Sequence, residues 1–192
     1  METIKEDYKF WYFTKKDYKT RLLGFDTAID PFSVWDTVGL KDKFIQDLYD
    51  DNRITDIQIN LSSFGGNFEA ALDISKELAA YSAKGAKINI LIDGVSGNAV
   101  PIILAANGTI TAHKSSIMMI GEPIAVIHGN VLELTNAYNK FLSDRETFIQ
   151  QMVQKTKIER ETMIEYMRKR KWFRGDELFT GGIADKMQED EK

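Results

Sequence analysis

Two glycine-rich turns hold the residue types from which an acyl-transfer site could be built. Ser63-Phe-Gly-Gly66 and Gly94-Val-Ser-Gly-Asn98 each stand between a strand-like run and a helix-like run. Backbone N–H groups at such turns can hold an oxyanion, a phosphate or a carbonyl oxygen. Neither turn has the spacing or the lysine of a phosphate-binding loop, and the need for positive φ at a tight turn accounts for each alone. Ser96 is a candidate nucleophile, because its surroundings depart from the Gly-x-Ser-x-Gly elbow only at the last residue. A serine nucleophile needs a base within hydrogen-bond reach. His113, His128 and Lys114 are the available groups, and nothing in their spacing aims any of them at Ser96. Asn98 stands just before Ala99-Val-Pro101, where a helix cap belongs, and its side-chain oxygen can accept from the Val100 N–H. A cap is therefore the plainer reading of Asn98. The chain has no cysteine, which rules out a disulfide framework, a thiol nucleophile and a cysteine metal site, and two histidines give no basis for a multi-histidine centre.

The elements that would position these turns can be read from periodicity. Aromatic residues Tyr8, Phe10, Trp11, Tyr12 and Phe13, then Arg21 to Phe25, predict a strand or hairpin. Core or interface packing explains those rings better than a stacking platform for nucleic acid. Val38 to Leu48 has helical spacing, and Ile54 to Leu61 alternates as a strand does. A helix over 68–81, a strand over 87–93, a short helix ending near Asn107-Gly108 and short strands over 109–112 and 117–120 follow. Ile124–His128 reads as strand-like, then a helix runs from about Val131 to Thr156, a further one from about Glu159 to Lys169, and a last one around Asp176–Phe179.

Strands alternating with helices predict an α/β fold with a largely parallel sheet. The long helix has apolar residues on more than one stripe, among them Leu134, Tyr138, Leu142, Phe148 and Met152. Such a helix projects and buries its second face on another subunit, so a homo-oligomer is expected. Arg168-Lys-Arg-Lys171 is the only basic run and reads as a solvated helix end that suits the helix dipole. The whole chain, 1–192, reads as a single domain whose last residues, 188–192, form a frayed tail.

Composition narrows the function classes. With 29 acidic against 25 basic side chains the formal net charge is −4, which argues against general nucleic-acid binding. No apolar run is long enough to span a bilayer. Met1-Glu-Thr-Ile-Lys-Glu-Asp lacks the apolar centre of a signal peptide, which predicts a cytoplasmic location.

Four ordered motifs together carry a family resemblance. Gln58-Ile-Asn-Leu-Ser-Ser-Phe-Gly-Gly66 resembles the Ile-Asn-Ser-Pro-Gly-Gly turn of the ClpP-like serine peptidases. Ile92-Asp-Gly-Val-Ser-Gly-Asn-Ala99 is similar to that family's nucleophile turn. Ser116 to Pro123 resembles the strand that ends in a histidine before a polar residue and proline. Trp172 to Asp185 resembles the closing segment that follows the acidic triad member. Lys9-Phe-Trp-Tyr-Phe13 is similar to the phage-type branch, and the resemblance covers about residues 8–187.

The resemblance implies a crotonase-like spiral of ββα units, with residues 131–156 as a protruding handle helix. It implies a heptameric ring or double ring, partnership with active ClpP subunits, and a Clp ATPase. ATP would enter only through that ATPase, and no cofactor of the chain's own is expected. Position by position, the nucleophilic serine falls on Asn98, the general-base histidine on Gly121 and the aspartate on or near Arg170. None can do the family's chemistry: an amide is no alkoxide, glycine holds no proton acceptor, and arginine repels an imidazolium. The oxyanion-hole donors would be the backbone N–H groups of Gly66 and Ala99, and Phe64 replaces the usual proline. The expectation is an inactive, ClpR-like or phage-type homologue that joins or forms rings and modulates a Clp protease in the cytoplasm, the host's if the protein is viral. The alternatives are an active endopeptidase with a rearranged site at Ser96, and a phage assembly or scaffold protein.

Overall fold

The computed structural model describes residues 12–15, 20–25, 46–50, 54–63, 68–97 and 100–189. Its larger sheet has six strands in the order β1-β2-β3-β4-β6-β9. These are β1 (Tyr12–Lys15), β2 (Thr20–Phe25), β3 (Asp56–Leu61), β4 (Lys87–Ile92), β6 (Ile110–His113) and β9 (Lys186–Gln188). Only β1 and β2 pair antiparallel, and every other neighbour is parallel, as the strand–helix alternation predicts. The aromatic N-terminal hairpin is present from Tyr12 onward. Residues 46–49 are helical, and the rest of the helix expected over 38–48 lies outside the described residues.

Central strands β3 and β4 alternate buried and part-exposed side chains, with Ile57, Ile59, Leu61, Ile88, Ile90 and Ile92 all nearly inaccessible. Helix α1 (Phe68–Ser82) packs its Ala71, Leu72, Ile74 and Leu78 face into the same core. A 3-10 helix, Val100–Ala105, stands where a short helix ending near Asn107 was expected. It stops earlier because Asn107 leaves the helix to serve β4: its Oδ1 accepts from the Ile88 N–H at 2.7 Å, and its Nδ2 donates to Ala86 O at 3.0 Å. An Asn side chain that satisfies strand N–H and C=O groups competes with continuing the helix.

A second sheet of three strands, in the order β5-β7-β8, holds β5 (Val95–Ser96), β7 (Ile117–Ile120) and β8 (Lys171–Arg174). β5 runs parallel to β7, and β8 antiparallel to it. β8 starts inside the basic run, so Lys171 is a half-buried strand residue and not part of a solvated helix end. The His113–Ser116 turn is likewise less exposed than its polarity implies: His113 and Ser116 are buried, and the Ser116 hydroxyl donates to Ile92 O at 2.6 Å.

Helix α2 spans Val131–Thr156, the bounds expected for the handle. A capping box sets its start: the Asn130 side chain accepts from the Leu132 and Glu133 N–H groups, and Glu133 accepts from the Asn130 N–H. Its fully buried residues, Phe148, Ile149, Met152 and Thr156, all lie in the second half, with Phe141 packed against the core about two turns earlier. The first half exposes Val131, Leu132 and Tyr138, Leu132 to 69%. Ile124–His128 is not a strand. Its alternating residues have no partner strand among the described residues, and Val126 is 75% exposed. Helices α3 (Arg160–Lys169) and α4 (Asp176–Thr180) follow as expected. Gln188 ends β9, paired opposite His113, so the final strand reaches into the segment expected to fray over 188–192.

Gly175 joins β8 to α4 at φ +44, and a Cβ there would lie 2.4 Å from the Lys114 carbonyl oxygen. Its N–H donates to Ser116 O at 2.9 Å, so neither backbone can retreat. Gly175→Ala should therefore lower unfolding free energy by about 1–3 kcal/mol, the scale of overpacking. Urea denaturation followed by circular dichroism measures it, and an unchanged midpoint would contradict the packing described.

Candidate functional site

The small sheet brings the separate motifs to one end of the molecule. In the β7–β8 ladder Ile120 faces Lys171, so the next residues along, Gly121 and Arg170, leave the sheet side by side. The Glu122 N–H donates to Met167 O at 3.1 Å, which ties the same point to the end of α3. Because β5 is parallel to β7, Gly97 emerges at that end too, and its N–H donates to Ser63 O at 2.7 Å. Ser63 is buried at the start of the first glycine-rich turn. Gly94 makes this approach possible: it sits at φ +70, and a Cβ would stand 3.1 Å from the Ser62 hydroxyl.

The sequence candidates fall unevenly on this geometry. Gly121 is buried immediately after β7. Arg170 is exposed and closes α3 in the left-handed region at φ 49, its N–H directed to the Met167 and Tyr166 carbonyls. Ser96 has its backbone in β5 beside Met118. Gly66, Asn98 and Ala99, together with Phe64, lie outside the described residues.

Gly121 lines a small cavity of ≈ 10 Å³ with Phe68, Val100, Pro101, Pro123, Ile124 and Phe148. That is about the space of a single water. Phe68 and Phe148 meet edge-to-face with ring centroids 5.5 Å apart, and Phe141 approaches Phe68 at 6.1 Å. Among the described residues no titratable side chain lines this cavity. An imidazole set here would find no carboxylate among these lining residues to hold its tautomer, and its protonated form would be disfavoured by desolvation.

A charged clamp flanks the apolar cavity. Arg145 on α2 grips Glu122 with both arms, Nε to Oε2 at 2.7 Å and Nη2 to Oε1 at 2.5 Å. These hydrogen bonds raise the guanidinium pKa above its ordinary value, with burial acting against them. The clamp fixes the segment after β7 to the base of the handle. Sequence reasoning missed it, and it missed the aromatic wall, because these partners meet only through the fold.

Among the described residues no group of three or more His, Cys, Asp or Glu is placed to hold a metal ion. No helix among the described residues is long and apolar enough to cross a membrane.

The cavity yields a direct expectation. Gly121→His forces an imidazole ring into space for about one water, so it should cost about 1–3 kcal/mol of stability and create no peptidase activity. Thermal or urea unfolding reads the cost, and a stable variant that hydrolyses a fluorogenic peptide would contradict this account of the cavity.

A comparison with curated proteins finds no match. The family model of the Clp protease matches residues 42–191. That match spans most of the chain, including both glycine-rich turns, the handle and the closing segment, and the α/β architecture agrees with it. The chain belongs to the Clp protease family.

Proposed function

We propose that the chain is a catalytically silent member of its family, one that forms rings or joins them and so modulates a Clp protease. The observation that carries this reading is the apolar cavity around Gly121, where the family's general base would stand and where no titratable side chain is found among the described lining residues. By the resemblance the acidic partner falls on or near Arg170, and an arginine in that position would oppose a histidinium instead of supporting it. Asn98 in the nucleophile position completes the replacement of all three triad members. Backbone donors at Gly66 and Ala99 would leave an oxyanion hole with nothing to attack a peptide bond.

The exposed half of α2 supports the assembly side of the proposal. Leu132, Tyr138 and Leu142 are apolar and solvent-facing in the isolated chain, with Ile124 and Val126 just ahead of the helix. Such a surface is buried in an oligomer. A heptameric ring, or two rings stacked through the handles, would cover it. In a mixed ring with active ClpP subunits, each copy of this chain lowers the number of cutting sites and alters the rim offered to a Clp ATPase. The phage-type aromatic segment fits a viral protein acting in the host cytoplasm.

Purified chain should hydrolyse fluorogenic peptides on the order of 10⁶-fold more slowly than an active family member, the scale of losing a triad. Turnover within a hundredfold of an active member would sink the proposal. Native mass spectrometry should show a ring, alone or with an active ClpP. The double change Leu132→Glu and Tyr138→Glu should separate stacked rings while leaving the circular dichroism spectrum unchanged. A strictly monomeric chain that enters no mixed ring would refute the assembly claim.

A further inference from the structure

A second, larger recess lies away from the β7–β8 end. It is an open groove of ≈ 330 Å³ between α1, the 3-10 helix and the last turns of α2, within the size range of small-ligand sites. Leu72 and Leu104 supply apolar surface, and the ionisable groups on its walls are two lysines, Lys76 and Lys155. No carboxylate lines it.

Two polar groups in the groove are incompletely satisfied. Ser75 is only 4% exposed, and its hydroxyl has no hydrogen-bond partner among the described residues. Elsewhere in this protein helical hydroxyls turn back to the carbonyl four residues earlier, as at Thr135, Thr147 and Thr156. A buried hydroxyl left unpaired is unusual in native proteins and calls for a partner. Lys155 is half-buried and donates to Ala106 O at 2.5 Å. That leaves two of its three N–H donors without a protein acceptor among the described residues, and no carboxylate pairs with it there. Burial lowers its pKa from the ordinary lysine value, with Asp185 acting in the other direction.

We propose that this groove binds a small carboxylic acid with an apolar body, its carboxylate held by Lys155 and the Ser75 hydroxyl and its hydrocarbon laid over Leu72 and Leu104. Charge complementarity selects the ligand class: two lysines, of which only Lys76 has a carboxylate partner among the described residues, Asp73 at 3.4 Å, stand at an apolar surface with no lining carboxylate, so a neutral amphiphile lacks the favourable pairing and a cationic one is repelled. The proposal is independent of whether the chain has peptidase activity.

Isothermal titration of the full chain with octanoate tests it, with octan-1-ol as the neutral control. Octanoate should bind saturably, and octan-1-ol about tenfold or more weakly, the value of one charge-assisted hydrogen bond. Ser75→Ala should weaken octanoate severalfold, and Lys155→Gln about tenfold. Lys155→Gln also releases the Ala106 carbonyl, so Lys76→Glu, an exposed change that repels a carboxylate without disturbing the core, serves as the second variant. Octanoate that fails to bind, binds no better than octan-1-ol, or binds the folded variants as well as the parent chain would overturn the proposal. A groove closed by a neighbouring copy in the assembled ring would give no binding and overturn it equally.

Discussion

Strand β7 is four residues long, and the geometry of the candidate site depends on its being held at both ends. At its start, the fully buried Ser116 side chain donates to Ile92 O and accepts from the His113 N–H, tying β7 to the end of β4. The Ser116 carbonyl accepts from the Gly175 N–H, which brings in the closing segment. At its far end, Glu122 is held by Arg145 from α2 and by the Met167 carbonyl from α3. β5 and β8 take their register from this pinned strand. Gly97, Gly121 and Arg170 therefore arrive together although they come from well-separated parts of the chain. Glycine at 121 does not loosen this arrangement, because its neighbours on both sides are already committed to hydrogen bonds.

A site pinned in this way is preorganised, and preorganisation is what acyl-transfer catalysis needs. The chemistry offered at the pinned point is nevertheless apolar. Phe68 opens α1 and Phe148 anchors α2, and their edge-to-face contact fills the volume beside Gly121. Desolvation there would favour a neutral base and disfavour the charged intermediate through which a general base must pass. The same aromatic contact holds the handle against the body of the protein. On the proposed reading, the residues around the old site have kept the task of positioning the handle and lost that of moving protons. On that reading the family scaffold carries unreactive groups, and the apolar, solvent-facing part of α2 would be covered by another subunit.

Long elements with local signals were legible in the sequence. α2 could be bounded because Asn130 and Glu133 form a capping box at one end and the apolar pattern stops at the other, where Lys157 takes up the left-handed conformation. β3, β4, β6 and β7 could be read from alternation or short apolar runs. Two-residue β5 and four-residue β8 could not, because strands so short are specified by their partner and not by their own composition. Ile124–His128 shows the converse: it alternates as a strand does, yet it pairs with no strand among the described residues. The candidate site was legible as motifs, while its electrostatic character was not. Glu122 and Arg145 are 23 residues apart and meet only after α2 folds back. Phe68 and Phe148 read simply as core residues of two different helices. The closing of the cavity around Gly121 is a property of that packing.

The central claim is that no side chain of this protein is activated as an acyl-transfer nucleophile. Intact-mass analysis after treatment with a fluorophosphonate probe tests it most directly, alone and in the presence of an active ClpP. The account predicts an unmodified mass for this chain under conditions that label the active subunit to completion. A stoichiometric adduct on this chain, mapped to Ser96 or to any other residue, would contradict it.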